Sequence, residues 1–80
     1  MHELAAAQDM LKTVIQAAEK HGAKRVAVIR VKIGEHSGHE APNIVDMMGL
    51  AAEGTIAEGA TVETTLVPGT EIGVEDIEVE

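Results

Sequence analysis

Apolar and small residues recur at helical spacing from Glu3 to Lys20, at Leu4, Ala7, Leu11, Val14, Ile15 and Ala18. That spacing predicts an amphipathic helix. Its alanines favour helix and permit close approach, Glu3 in the first turn and Lys20 and His21 in the last suit the helix dipole, and Gly22 is a natural stop. Over residues 25–33, "RVAVIRVKI", the period drops to about two and β-branched residues dominate, which predicts a strand. Ala27, Ile29, Val31 and Ile33 fall on its covered face, and Val28, Arg30 and Lys32 on a wetter one. The polar stretch 34–40, "GEHSGHE", reads as a loop. Pro42 suits the first turn of a second helix, with Ile44, Val45, Met47, Met48, Ala51 and Ala52 as its buried stripe and Gly54 as its stop. Gly49 inside that helix costs about 1 kcal/mol of propensity relative to alanine. Close packing against the first helix would account for it. "TIAEGA" is a short connector, and Thr61–Val67 is a strand with Val62, Thr64 and Leu66 on one face. Pro68-Gly69 suits the centre of a type II turn. In the returning strand, 70–79, Ile72 and Val74 share one parity and Ile77 and Val79 the other, which calls for a bulge near Glu75 or Asp76.

The order helix, strand, helix, strand, strand predicts an α+β fold: a two-layer sandwich in which a three-stranded mixed sheet carries both helices on one face. The strand–helix–strand crossover implies parallel pairing of the first two strands, and the short Pro-Gly link implies a hairpin of the last two. Residues 1–80 read as a single domain. A chain this short buries only about 60% of the surface its unfolded form exposes. The alternative architecture is therefore a domain-swapped homodimer that exchanges residues 61–80.

Composition narrows the chemistry. The chain has no cysteine and no Phe, Tyr or Trp. Disulfides, thiolate zinc sites and cysteine nucleophiles are excluded, and there is no aromatic platform for stacked bases. The net charge is −8, and all six Lys and Arg lie in the first 40 residues. The second 40 hold only acids, a field that repels nucleic acid and anionic membrane and attracts cations or a basic protein face. With no apolar run long enough for a membrane span and no signal-peptide pattern at its start, the expected setting is cytoplasmic.

No Ser-His-Asp arrangement, paired-histidine zinc helix or phosphate loop is present, so the chain reads as a binding protein and not an enzyme. His21 reads as a surface residue at a helix end. His36 and His39 share a glycine-containing loop with Glu35 and Glu40 and are secondary metal candidates. His2 is the sharper one. Its imidazole and backbone nitrogen close a small chelate ring, which the Glu3 backbone nitrogen or the terminal amine extends. Nickel(II) and copper(II) accept such nitrogen-rich square-planar or tetragonal sets, and binding releases protons because the ligands must be deprotonated.

"MHEL" running directly into a helix, followed in order by "HGAKRV", "VKIGEHSG", "AAEGTIAEGA" and "IGVEDIEVE", resembles the HypA/HybF family of hydrogenase nickel-incorporation (maturation) proteins. The resemblance covers nearly the whole chain. It implies a metallochaperone that delivers Ni2+ to the large subunit of nickel–iron hydrogenase together with a HypB-type GTPase. It maps the family's metal site onto His2, Glu3 and Glu40. A glutamate at position 40 is one methylene longer than the aspartate of some members. The family's cysteine-rich zinc domain, inserted between the last two strands, is absent here between residues 67 and 71, so no zinc is expected. The competing reading is an adaptor module, or a zinc-less remnant, that docks a partner without binding metal.

Overall fold

The computed structural model describes residues 2–80. Its elements run α1 (Glu3–Lys20), β1 (Val26–Gly34), α2 (Ala41–Ala51), β2 (Thr61–Val67) and β3 (Ile72–Val79). The three strands form one mixed sheet in the order β2-β1-β3, with β1 parallel to β2 and antiparallel to β3. Both helices cover one face. The expected α+β sandwich is the observed one.

The expected hairpin of the last two strands is not. β2 and β3 do not pair but flank β1 on opposite sides, so the Pro68-Gly69 link bridges over the end of β1. β1 is the strand whose inward side chains are fully covered: Val26, Ile29, Val31 and Ile33 are each 0–1% exposed. The central position under both helices belongs to the most apolar strand, and the more polar β2 and β3 take the edges, where one flank stays in water.

Pairing registers fix what faces inward. Ile29 lies opposite Val62 and Ile77, Val31 opposite Thr64 and Val74, and Ile33 opposite Ile72 and Leu66, although Leu66, on the edge strand, is left 69% exposed. The parity change in β3 is resolved where the sequence called for it: Arg30 pairs with Asp76 and Val31 with Val74, leaving Glu75 as the extra residue of a bulge. A second irregularity has no signature in the alternation. Val26 pairs with Val79 and Val28 with Glu78, so Ala27 is unpaired and Val26 takes the inward position expected of Ala27. Burying the larger valine removes more apolar surface from water.

The core joins Ala7, Met10, Leu11, Val14 and Ala18 of α1 to β1 and to Ile44, Met48, Ala52 and Ala57. In α2 the buried stripe is narrower than expected, because Val45 is exposed and Met47 and Ala51 are only partly covered. Gly49 does not permit a close helix contact either. It is exposed, and a Cβ built there meets nothing within 4 Å. The 52–60 connector is more ordered than its composition suggests. The Thr55 hydroxyl donates to the Ala52 carbonyl and accepts from the Ala57 N–H, Val26 N–H donates to the Ile56 carbonyl, and Ala57 is fully buried.

On the open face Arg30 is not simply wetted. Its register places it between Glu63 and Asp76, and its guanidinium donates to Glu63 (3.0 Å), Asp76 (2.9 Å) and Glu78. These hydrogen bonds, led by Glu78, raise the Arg30 pKa above its ordinary value. One cation thus gathers acids from both edge strands. No helix among the described residues is long and apolar enough to cross a membrane.

Candidate functional site

The start of α1, the end of β1 and the start of α2 meet at one end of the molecule. His2 is the N-cap residue of α1: its carbonyl accepts the Ala6 N–H at 3.0 Å, while its exposed side chain makes no capping bond. The imidazole is therefore not used to hold the helix. Glu3 follows in the first turn, where the helix N-terminus favours a carboxylate.

The 35–40 loop is tied down by the β2–β3 link. Gly34 N–H donates to the Glu71 carbonyl (2.7 Å), Glu35 N–H to Val67 (2.7 Å) and His36 N–H to Gly69 (2.8 Å). The link passes so close to β1 that a Cβ on Gly34 would stand 2.6 Å from the Gly69 oxygen and 2.7 Å from the Glu71 oxygen. Gly69 adopts the positive φ expected of it, 107°, a conformation that glycine accepts without steric cost.

This anchoring separates the two loop histidines. His36 is tied to the link through its backbone N–H. Its side chain is 74% exposed, and its Nε2 is 3.7 Å from a Glu35 carboxylate oxygen. His39 turns toward α1, with its backbone N–H donating to the Ser37 Oγ at 3.2 Å. His39 Nδ1 lies 3.6 Å from Glu3 Oε2, and the two side chains are only 16% and 20% exposed. That separation is too long for a hydrogen bond, and Nδ1 is buried with no hydrogen-bond partner. Leaving a buried polar atom unsatisfied costs about 1–3 kcal/mol, so this nitrogen is the most conspicuous polar feature of the region.

Glu40 is the N-cap residue of α2 in extended conformation (φ −107°, ψ 139°), with Pro42 in the first turn behind it. Its carbonyl starts the helix by accepting the Ile44 N–H, and its carboxylate is exposed and makes no capping bond. Both helices thus present their positive ends here, and Glu3 and Glu40 supply the offsetting negative charge. His21 is exposed at the other end of α1. The structure therefore brings together Glu3 and His39, sets Glu40 beside His39 in the chain, and leaves His36 apart. Among the described residues no group of three or more His, Cys, Asp or Glu side chains is assembled to hold an ion. The Glu3–His39 contact joins residues 36 apart in the chain, and no local pattern announces it.

A family model described as "Hydrogenase/urease nickel incorporation, metallochaperone, hypA" matches residues 1–78. The chain belongs to the HypA family. It is 41% identical over 69 residues to the hydrogenase maturation factor HypA of Methanopyrus kandleri, covering 86% of this chain and 49% of that protein. It is 41% identical over 68 residues to that of Methanothermobacter thermautotrophicus, covering 85% and 56%. To that of Escherichia coli it is 41% identical over 59 residues, covering 74% and 51%. The chain thus spans about half the length of the HypA relatives it matches. The solution structure of the Ni metallochaperone HypA from Helicobacter pylori superposes with a TM-score of 0.74 at 17% identity, covering 95% of this chain and 72% of that one. The HypA fold is shared.

Proposed function

We propose that this chain is a nickel-binding metallochaperone that delivers Ni2+ during maturation of nickel–iron hydrogenase. The family match over residues 1–78 carries the reading. The exposed His2 imidazole, unused in capping α1, supports it. The ion is held by the His2 imidazole and adjacent backbone nitrogen, with Glu3 and Glu40 supplying negative charge or a further donor. This is a carrier and not a catalyst: its cargo must enter and leave, which an exposed site permits and a closed structural zinc cage does not. No zinc is expected in this reading, because the chain has no cysteine and the resemblance sets the family's cysteine-rich zinc domain between residues 67 and 71. The partners are a HypB-type GTPase and the hydrogenase large subunit.

The test is calorimetry with nickel on three proteins: one with its native terminus, His2→Ala, and one extended by a few residues before Met1. His2→Ala should abolish the specific site. The extended protein should bind more weakly if the terminal amine is a ligand. Equal nickel affinity in native protein and His2→Ala would end the proposal. One observation favours a second reading, a docking module without metal, namely that the described residues assemble no three-donor cluster. Capture of the GTPase with no specific nickel uptake would establish that alternative.

A further inference from the structure

We propose that His39 is a ligand of the cargo ion, donating through Nδ1 beside the Glu3 carboxylate. The inference rests on the reading that this end of the molecule binds nickel, and extends it to a residue outside the His2–Glu3–Glu40 set. Three observations carry it. His39 Nδ1 is buried and has no hydrogen-bond partner. It stands 3.6 Å from Glu3 Oε2, between side chains that are mostly covered. The other loop histidine, His36, is 74% exposed and lies 3.7 Å from a Glu35 carboxylate oxygen, with no contact to Glu3 or α1 among those the structure shows.

Nitrogen and oxygen donors sit ~2.0–2.2 Å from a divalent first-row ion, so two of them on one ion stand roughly 3–4 Å apart. The His39–Glu3 separation falls in that range and outside hydrogen-bonding range. An imidazole paired with a carboxylate suits nickel, copper or zinc better than the hard oxygen-seeking ions. The two donors arrive from different elements, α1 and the residue before the N-cap of α2. An ion held between them would tie the start of α1 to the start of α2.

The competing account is a structural ion pair, with protonated His39 facing Glu3 and no role in metal binding. The test is a titration of the unmutated protein with nickel alone, followed by NMR of the four imidazole rings and paired with calorimetry on His39→Ala, His36→Ala and His2→Ala. The His39 and His2 ring signals should shift or broaden together as one equivalent is added, while those of His21 and His36 stay in place. His39→Ala should weaken nickel binding on the order of tenfold or more, since even outer residues of metal sites contribute that much. His36→Ala should leave binding unchanged. A His39 ring that is silent to nickel, with wild-type affinity in His39→Ala, overturns this proposal and leaves the His2 site standing. The converse result, loss in His39→Ala with no loss in His2→Ala, overturns the terminal chelate and keeps His39 as ligand. Wild-type protein that takes up no nickel overturns both. The ring signals come from unmutated protein, so the outcome does not depend on any variant folding.

Discussion

At Gly34 one absent Cβ decides whether the chain can bridge from β2 to β3. The link's carbonyls at Gly69 and Glu71 occupy the space a side chain would need, and they belong to backbone that cannot swing away as a flexible side chain can. Gly34→Ala should therefore destabilise the fold by about 2–3 kcal/mol, at the upper end of ordinary overpacking. The shift in urea midpoint measures it. An unchanged midpoint would mean that the link can lift off β1. The same bonds seat Glu35 and His36, so the turn that closes the sheet also sets the course of the loop that carries His39.

Among the elements, α2 is the one with an evident unmet propensity. Gly49 lies within it, exposed, with open space where a methyl group would go. Nothing in the packing requires a glycine there. Gly49→Ala should stabilise the domain by roughly 0.5–1 kcal/mol, by restricting the unfolded chain and strengthening the helix. Equilibrium denaturation reads this as a higher midpoint at unchanged slope. A fall in stability would show that another copy or a partner approaches this face closely enough to need the missing Cβ. α1 behaves differently: its alanines at Ala7 and Ala18 are fully buried, so here small side chains do set the distance between layers.

For the whole molecule, the strand order bears on the domain-swapped alternative. Residues 61–80 cover both flanks of β1, so exchanging them would strip the central strand of every ladder partner at once. The hinge would have to lie in the 52–60 connector, which is pinned by Thr55, by the Val26–Ile56 bond and by the buried Ala57. We expect a monomer by light scattering across a wide concentration range. A mass that doubles with concentration, with β2 and β3 supplied by a second copy, would restore the swap. The charge layout acts at this scale too: Arg30 gathers Glu63, Asp76 and Glu78 across the open face, and without it the two acidic edge strands would repel each other.

The alternation of apolar and polar residues by itself determined the five elements, their order, the parallel crossover and the bulge at Glu75, because burial of one face writes its period directly into the chain. The HypA resemblance was equally legible, since it is carried by short runs such as "MHEL" and "VKIGEHSG". Periodicity says which way a side chain faces but not which strand lies beside which, so tertiary structure alone decided that β2 and β3 flank β1. It also decided that Ala27 yields its inward place to Val26. The two loop histidines have similar neighbours in the sequence, and only the fold distinguishes them. The link over Gly34 leaves His36 in water, while the start of α1 closes over His39 and brings its buried nitrogen to Glu3. Contacts between residues far apart in the chain are made by packing, and no local pattern encodes them.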